Sequence, residues 1–467
     1  MADFDYDMLV IGSGPAGQRA AIQAAKLDKH VAIVERRAVI GGVCLNTGTI
    51  PSKTLREAVM HLSGYRERGV YGASYAVKQN ITVDDLLFRA DHVMRHEIDV
   101  TRHQLMRNRV EVLYAEASFV DPHTLQINYV DGRGQRLVTA ANVIIATGTR
   151  ATSDSRTPFD NRTIFLSDDI LHLDHLPRTM AVVGAGVIGL EYASMFAALG
   201  VRVTLVDKRT RLLPFVDGEI VDAFVYHLRQ NRVTLRLGEE VKSLEPILSD
   251  KGERVQIKLA SGKRITADKA LYSIGRTGAT RSLNLSAAGI EADGQGFLKV
   301  NPEFQTQAPH IFAVGDVIGF PSLASTAMEQ GRLAACRAFE IETKSVPELF
   351  PYGIYSVPEI SMVGRSEEDL TRQDTPYEVG KAHYREIARG QIIGDSTGLL
   401  KLIFHSETRE LMGVHILGEG ASELIHIGQA VMAFGGRVDY FIDTVFNYPT
   451  LAECYKTAAF DGINRLG

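Results

Sequence analysis

The sequence of 467 residues has no tryptophan, only three cysteines and no marked excess of charge of either sign. Three thiols are too few for the disulfide framework of a small secreted protein. The net charge of −5 comes from 51 basic and 56 acidic residues, so neither nucleic acid nor an anionic membrane is expected as a partner. The apolar runs are short, and the one over 180–190 stops at Glu191, well below the length of a membrane span.

The N-terminal stretch MADFDYDMLV lacks the basic region of a signal peptide, because it carries three acidic residues and no Lys or Arg. We therefore expect a soluble, cytoplasmic protein. Hydrophobic residues at 45% and charged residues at 23% are typical of globular proteins. The length favours roughly three domains of ordinary size. No metal site is predicted.

One repeat organises the first half of the chain. The first copy reads YDMLVIGSGPAGQRAAIQAAKLDKHVAIVER and the second reads RTMAVVGAGVIGLEYASMFAALGVRVTLVDK. Each copy predicts an apolar strand, a glycine-rich turn, an Ala-rich helix and a second strand that ends in an acid. The acids are Glu35 and Asp207, each 18 residues after the third glycine of its copy. The glycines of the two copies are Gly12, Gly14, Gly17, Gly184, Gly186 and Gly189.

This spacing is typical of dinucleotide binding. The first glycine allows a tight turn, the second lets a pyrophosphate approach the backbone, and the third lets the helix pack on the strand. The helix N-terminus then faces the phosphates, and the acid can accept hydrogen bonds from a ribose. The alternative is two packing turns that bind no nucleotide. Two full copies favour two dinucleotides, one held permanently and one exchanged.

The remaining segments predict different structures. Residues 55–115 have a helical, amphipathic pattern, and 116–150 a pattern of strands that ends in NVIIATGTR. Residues 347–467 combine strand-like pieces (LLKLIFH, ELMGVHILG) with the helix-like ASELIHIGQAVMAFGG, which indicates an α+β domain without a glycine fingerprint.

Several motifs, taken together and in order, resemble the flavin-dependent pyridine nucleotide–disulfide oxidoreductases over essentially the whole chain. The motifs are the first fingerprint, GGVCLNTGTIPSK (41–53), IIATGTR (144–150), HIFAVGDVIG (310–319) and FNYPTLAE (446–453). The resemblance implies two Rossmann-like domains, one for FAD and one for NAD(P), and a C-terminal α+β dimerisation domain. The implied boundaries are 1–155 with 276–346 for FAD, 156–275 for NAD(P), and 347–467 for dimerisation.

The resemblance also implies roles for individual residues. Asp316 would hold the ribityl chain of the flavin, and Glu35 the adenosine ribose. Lys53 would lie near flavin N5 and pair with Glu191, and a helix beginning near Leu323 would point its positive end at the flavin ring. The alternative for Lys53 and Glu191 is ordinary charge on a helix surface. The other implied cofactor-binding residues are Arg36, Gly42, Cys44, Thr49, Thr147, Gly148, Gly275, Arg276 and Gly315.

Two positions depart from the family pattern. A disulfide reductase of this family uses two cysteines and a histidine. Here Cys44 is present, but Thr49 stands at the second cysteine and Tyr448 at the histidine, beside the retained acid Glu453. A hydroxyl cannot form a disulfide, and a phenol with a reference pKa of about 10 is a poor proton shuttle. Dithiol chemistry is therefore excluded as the main activity, and Cys44 is interpreted as a packed residue without an essential part.

The expected function is hydride transfer between NADPH and NAD⁺, in which the two nucleotides use one site in turn. Asp207 would accept from the ribose of NAD, while Lys208, Arg209 and Arg211 could pair with the 2′-phosphate of NADP. For each base the alternative is a solvated strand end. Three other readings stay open: an oxidase or diaphorase, a non-catalytic flavoprotein, and a reductase that recruits thiols from another chain. A homodimer or larger homo-oligomer is implied, with Tyr448 and Glu453 lining the partner's site.

Overall fold

The computed structural model describes residues 4–250, 252–343 and 349–466. The strands, in chain order, are β1 Tyr6–Ile11, β2 Val31–Glu35, β3 Glu111–Phe119, β4 Thr124–Tyr129, β5 Gln135–Ile145, β6 Thr149–Ala151, β7 Ile164–Leu166, β8 Thr179–Val183, β9 Arg202–Asp207, β10 Thr234–Leu237, β11 Val241–Ser249, β12 Gly252–Leu259, β13 Arg264–Ala267, β14 Lys269–Tyr272, β15 Arg276–Gly278, β16 Ile311–Ala313, β17 Tyr352–Ile354, β18 Ile360–Gly364, β19 Tyr377–His383, β20 Leu399–His405 and β21 Leu411–Leu417.

The α-helices alternate with these strands in the first two thirds of the chain and cover the sheet in the last third. They are α1 Pro15–Ala25, α2 Gly42–Asn46, α3 Thr49–Leu62, α4 Arg68–Tyr71, α5 Val83–Arg107, α6 Val187–Ala198, α7 Gly218–Gln230, α8 Ala324–Ala338, α9 Glu367–Arg372, α10 Ala388–Ile392, α11 Ala421–Ala433, α12 Asp439–Asp443 and α13 Glu453–Ile463.

The first sheet carries the first glycine fingerprint. Strand β1 pairs in parallel with β2 on one side and β5 on the other, and β3 and β16 extend the parallel sheet outwards. Strands β3, β4 and β5 also form an antiparallel meander. Both faces of β1 are buried: Leu9 packs in the core on one face and Val10 in the core on the other. Burial on both faces explains why the strand reads as a continuous apolar run.

The second sheet carries the second fingerprint. Its strand order is β10-β9-β8-β14-β7, and every pair is parallel. The antiparallel meander β11-β12-β13 contributes to the core beside this sheet through apolar side chains such as Leu244 and Ile257. Helix α6 follows β8 directly and is buried from Gly189 to Ala198, which explains why its sequence is apolar on nearly every side.

The third sheet is antiparallel, with strand order β17-β18-β21-β20-β19. Helices α11 and α13 pack on it around a core that includes Leu402, Ile416 and Tyr455. The pieces predicted as strands and helix correspond to β20, β21 and α11. The predicted class, α/β with two parallel sheets and a C-terminal α+β part, is confirmed.

One segment differs from its predicted structure. The helical pattern over 55–115 holds for α3 and α5, but α5 ends at Arg107 and β3 begins at Glu111. Within β3, Leu113, Ala115 and Ala117 are buried at every second position, which is the period of a strand. Alternation over so few residues also fits the end of an amphipathic helix, so the sequence pattern placed this boundary too late.

Contacts divide the chain into two compact units. One unit contains the described parts of 1–55, 87–152 and 276–347, and the other those of 56–86, 153–275 and 348–467. The second unit therefore holds both the second parallel sheet and the antiparallel sheet. The domain boundaries given above remain predictions. Within the three described ranges, no helix combines the length and the apolar character that crossing a membrane requires.

A buried lysine ties α7 to the antiparallel sheet inside the second unit. Lys401 of β20 is fully buried, and its Nζ donates to Asp217 Oδ1 at 2.8 Å and to Glu367, and lies 3.2 Å from Glu219 Oε2. Burial acts to lower the pKa of Lys401, but the hydrogen bonds to Asp217 and Glu367 raise it above its ordinary value. Asp217 is also the N-cap of α7, where it accepts from the Glu219 N–H at 3.2 Å.

Candidate functional site

The glycines of the first fingerprint have three different surroundings. Gly12 has a φ of +106°, and a Cβ there would overlap the Ala146 carbonyl oxygen of the neighbouring strand. A Cβ on Gly17 would overlap the Gly12 carbonyl, because α1 packs directly on the turn. A Cβ on Gly14 would meet nothing within 4 Å. The first and third glycines therefore shape the turn, and the second leaves open space where a pyrophosphate could approach.

The second fingerprint repeats this arrangement. Gly184 has a φ of +99°, and a Cβ on it would overlap the Ser273 carbonyl oxygen. A Cβ on Gly189 would overlap the Gly184 carbonyl, whereas a Cβ on Gly186 would meet nothing within 4 Å. The two turns thus have the same shape and the same open position. Each lies at the N-terminus of a helix, where an anion is favoured.

The acid of the first copy is held by the turn that it faces. Glu35 Oε2 accepts from the N–H of Ser13 at 3.1 Å and from its hydroxyl at 2.5 Å, while Oε1 accepts from the Arg37 N–H at 2.8 Å. The Ser13 Oγ in turn accepts from the Gly41 N–H at 2.9 Å. The fingerprint, the acid and the start of the redox-like segment are therefore connected by one hydrogen-bonded serine.

The acid of the second copy is held differently. Asp207 Oδ1 accepts from the N–H of Arg209 at 2.8 Å and from its Nε at 2.9 Å. Oδ2 accepts from the Ala185 N–H and from Arg209 Nη2, both at 2.6 Å. Burial acts to raise the pKa of Asp207, but the hydrogen bonds from Arg209 and Ala185 bring it below its ordinary value. The acid is a carboxylate at neutral pH.

A cleft of about 1140 Å³ opens over the first fingerprint. Binding sites for drug-sized ligands are roughly 300–1,000 Å³, so this space suits a larger ligand such as a dinucleotide. The Thr147 Oγ1 at its wall is buried without a hydrogen-bond partner among the described residues. The orphaned hydroxyl and the open Gly14 both fit a polar ligand in the cleft. Most of the residues predicted to bind FAD line it: Gly12, Gly14, Glu35, Arg36, Gly42, Cys44, Thr49, Thr147, Gly148, Gly315 and Asp316.

Asp316 lies in a short 3-10 turn over Gly315–Ile318. Gly315 has a φ of +75°, and its N–H donates to the buried Gln330 Oε1 at 2.8 Å. Burial raises the pKa of Asp316, while the charge of Arg276 and a hydrogen bond with Thr149 act against the rise. Arg276 lies behind the cleft wall, where its Nε donates to Thr149 Oγ1 at 2.8 Å. Helix α8 begins at Ala324 with Leu323 as its N-cap, as the sequence predicted.

The redox-like segment forms α2 and the first turn of α3. The Cys44 thiol and the Thr49 hydroxyl are hydrogen bonded to each other, and both line the cleft. Burial raises the pKa of Cys44, more than the hydrogen bond with Thr49 and the charge of Lys53 lower it. Because the thiolate is the nucleophile, a thiol in this state is poorly reactive. Cys336 and Cys454 are buried and unpaired, in agreement with their interpretation as packing residues.

The predicted catalytic residues lie on four elements. Lys53 is half-buried on α3, two residues after Pro51. Glu191 is buried on α6, where one carboxylate oxygen accepts from the Tyr355 N–H at 2.9 Å. Tyr448 is 68% exposed, just before α13, and Glu453 is the first residue of that helix. The pairing of Lys53 with Glu191 and the approach of Tyr448 and Glu453 to a partner's site remain predictions.

The bases that follow Asp207 have separate surroundings. Arg209 covers the carboxylate of Asp207, while Lys208 is exposed. Arg211 Nη2 donates to Glu368 Oε1 at 2.9 Å, and the same oxygen accepts from the Gly218 N–H at 3.1 Å. Gly275, at the end of the strand beside this turn, has a φ of +146°, which favours glycine.

The sequence missed some residues that shape these sites. Ser13 occupies a variable position of the fingerprint, so its link between Glu35 and Gly41 carries no signal in the spacing. Residues 115–117 of β3 and 282–283 also line the cleft. The only available signal for 115–117 was that β3 lies next to β2 in a parallel sheet, which places its carboxyl end at the same edge as Glu35.

Two dinucleotide fingerprints on two parallel sheets, a cleft with a thiol beside the first, and a separate antiparallel sheet define a nucleotide-dependent oxidoreductase of two nucleotide-binding sheets. Residues 6–331 match the family model described as "Pyridine nucleotide-disulphide oxidoreductase", and residues 350–459 match its "dimerisation domain". The chain belongs to the pyridine nucleotide-disulphide oxidoreductase family, which confirms the resemblance predicted from its motifs.

Curated relatives and solved structures agree with this assignment. The chain is 55% identical to a "Soluble pyridine nucleotide transhydrogenase" of Mycobacterium bovis, over 99% of this chain and 98% of that one. It is 46% identical to the protein of the same name from Colwellia psychrerythraea, over 99% of both chains. Among solved structures it is similar to LpdA from Mycobacterium tuberculosis (TM-score 0.88, 25% identity, 98% and 99% coverage) and to the "HOCl-induced flavoprotein disulfide reductase RclA" from Escherichia coli (0.86, 26%, 97% and 99%).

Proposed function

We propose that this protein transfers a hydride between NADPH and NAD⁺, with FAD held in the first cleft and the two nucleotides binding in turn at the second fingerprint. One observation carries the proposal: both fingerprints have the open glycine position and the fixed acid, while the Cys44 thiol faces a threonine hydroxyl instead of a second thiol. The printed names of relatives at 46–55% identity support the same activity.

The residues of the first cleft fit FAD. Gly14 leaves space for the pyrophosphate, Glu35 would accept from the adenosine ribose, and Asp316 would hold the ribityl chain. When bound, FAD supplies a ring that can accept a hydride from one nicotinamide and return it to another. The overall exchange turns NADPH and NAD⁺ into NADP⁺ and NADH, so hydride balances and no proton is released. A disulfide substrate has no part in it.

The two predicted catalytic residues of the nucleotide-binding parts have electrostatic roles in this proposal. The ammonium of Lys53 would stabilise negative charge on the flavin ring. Glu191 would orient that ammonium, and its own carboxylate is fixed by the Tyr355 N–H. Tyr448, as a phenol at the position of the family's histidine, would contact the partner's bound groups without shuttling a proton at neutral pH.

A homo-oligomer is part of the proposal, because the C-terminal part matches the dimerisation model. Several large apolar side chains of that part are exposed, among them Phe434, Val445 and Tyr448. Exposed apolar side chains of this size would be covered at an interface between copies. A dimer would satisfy both copies with one two-fold surface. A cytoplasmic location is also proposed, since the three thiols are unpaired.

The direct test of the function is anaerobic. The purified holoprotein is mixed with NADPH and a spectrally distinct NAD⁺ analogue, and the reduction of the analogue is followed, with an oxidised disulfide substrate as control. We expect rapid reduction of the analogue and none of the disulfide. Bleaching of the flavin without reduction of the analogue would contradict the proposal and favour an oxidase or diaphorase, and reduction of the disulfide would restore the thiol reading.

The Cys44→Ser variant tests whether the single thiol takes part. We expect it to retain most of the nucleotide-to-nucleotide transfer rate, because the buried Cys44 thiol has a raised pKa and a hydroxyl can keep the hydrogen bond with Thr49. The FAD content and the anaerobic rate are measured together, and Thr49→Ser, which alters the other side of that hydrogen bond, is the matched control. A loss in Cys44→Ser as large as that caused by removing FAD would assign the thiol an essential part.

A further inference from the structure

The second nucleotide site contains a conflict between Arg209 and a ribose. A carboxylate has about four lone-pair positions that can accept hydrogen bonds. Those of Asp207 are filled by two N–H groups of the backbone, from Ala185 and Arg209, and by Nε and Nη2 of the Arg209 side chain. A ribose hydroxyl can therefore donate to Asp207 only after the guanidinium of Arg209 has moved away.

The first nucleotide site has no such conflict. Glu35 accepts from the N–H and hydroxyl of Ser13 and from the Arg37 N–H, and no other donor to it lies among the described residues. One acceptor position of Glu35 remains for a ribose. Arg37 stands two residues after its acid, as Arg209 does, yet only its backbone N–H donates to that acid. Coverage by the arginine side chain is thus particular to the second copy.

The other bases near Asp207 are placed differently. Arg211 is paired with Glu368, which also accepts from the N–H of Gly218 at the start of α7. Lys208 is exposed and is not one of the donors to Asp207. Arg209 combines a 42% exposed side chain with a direct pair to the 6% exposed Asp207. It is the base whose movement changes the charge presented by the acid.

We propose that Arg209 determines how one site accepts both nucleotides, by exchanging Asp207 for the 2′-phosphate when NADP(H) binds and by releasing Asp207 to the ribose hydroxyls when NAD(H) binds. This inference rests on the proposed function, and it adds the residue that makes the dual specificity possible. While paired, Arg209 cancels the negative charge that would otherwise repel a phosphate.

The chemistry of both partners suits this exchange. Guanidinium binds carboxylate and phosphate through the same two-pronged geometry, so Arg209 loses little when it changes partner. The Ala185 and Arg209 backbone N–H groups keep Asp207 in place when the side chain leaves. For NAD(H), two hydroxyl donors replace the two guanidinium donors.

The test uses two fragments without nicotinamide, 5′-AMP and 2′,5′-ADP, which differ only in the 2′-phosphate. Their dissociation constants for the holoprotein are measured by calorimetry. We expect Arg209→Ala to weaken 2′,5′-ADP about 10- to 100-fold, the range for loss of hydrogen bonds to a charged group, and to leave 5′-AMP unchanged or tighter. Arg209→Lys should restore part of the affinity for 2′,5′-ADP, because it returns the charge without the fork.

Two further variants complete the test. Asp207→Asn is expected to weaken 5′-AMP while 2′,5′-ADP keeps its affinity, and Lys208→Ala is expected to change either constant by less than Arg209→Ala does. Equal weakening of both fragments by Arg209→Ala, no change in either, or a larger loss in Lys208→Ala would overturn the inference. Because the fragments carry no hydride, these results are independent of whether the protein transfers hydride between nucleotides.

Discussion

Replacing Lys401 by methionine is expected to lower the free energy of unfolding by about 3–5 kcal/mol, the range found when one partner of a buried ion pair is removed. Lys401 is fully buried, and Asp217, which accepts from its Nζ, is 1% exposed. Methionine fills a similar volume but supplies no charge. Asp217 would then be an uncompensated buried carboxylate, close to Glu367 and Glu219, which also surround the lysine.

The measurement is an equilibrium denaturant titration followed by far-ultraviolet circular dichroism. Lys381→Met is the matched control, since Lys381 pairs with Glu219 at 2.8 Å but is 29% exposed, and such pairs contribute about 0–1 kcal/mol. Combining Lys401→Met with Asp217→Asn and Glu367→Gln should recover part of the loss, because the carboxylates that the lysine neutralises are removed as well. Equal effects of Lys401→Met and Lys381→Met would show that the buried cluster contributes no more than a surface pair.

Alanine at the third glycine of each fingerprint is expected to separate the two nucleotide sites. Gly17→Ala places a Cβ against the Gly12 carbonyl and should abolish retention of FAD. Gly189→Ala does the same against the Gly184 carbonyl and should leave FAD bound while reduction by NADPH falls about 100-fold, since a displacement near 1 Å has effects of that size. In both variants the helix must move away from the turn that would face the pyrophosphate.

Flavin absorbance after gel filtration measures the first effect, and anaerobic reduction by NADPH measures the second. The controls are Gly14→Ala and Gly186→Ala, where the added Cβ meets no atom of the chain within 4 Å. These controls should fold with unchanged thermal stability, even where they weaken binding by filling the open position. If Gly189→Ala lost FAD, or if Gly17→Ala kept it, the assignment of the two fingerprints to two different dinucleotides would be wrong.

The parts of the fold that follow from local rules could be predicted from the sequence. The two fingerprints gave two strand–turn–helix units, because glycine without a Cβ is needed at Gly12 and Gly17 whatever surrounds them. Long, strongly patterned pieces such as β20 and α11 were also predicted. The start of β3 was not, because a few alternating residues at the end of a helical pattern fit both periods.

The site was predicted less completely than the fold. Most residues expected to bind FAD lie together around one cleft, although their individual roles remain predictions. The pairing of Arg209 with Asp207 could not be deduced, because a base two residues after an acid can point into solvent as easily as fold back. Lys401 was not singled out either, since a lysine within an apolar strand gives no indication of carboxylates that lie nearly two hundred residues away.

The bridge made by Ser13 has a consequence for residence times. Its hydroxyl joins Glu35 to the Gly41 N–H, and the second copy has Ala185, with no hydroxyl, at the matching place. A ligand in the first site is gripped by an acid that is already fastened on two sides, so its departure must wait for several contacts to break. In the second site Arg209 can return to Asp207 as the ribose lifts off, so the outgoing nucleotide is displaced from within the chain. One motif, copied twice, thus serves slow release in one place and fast turnover in the other.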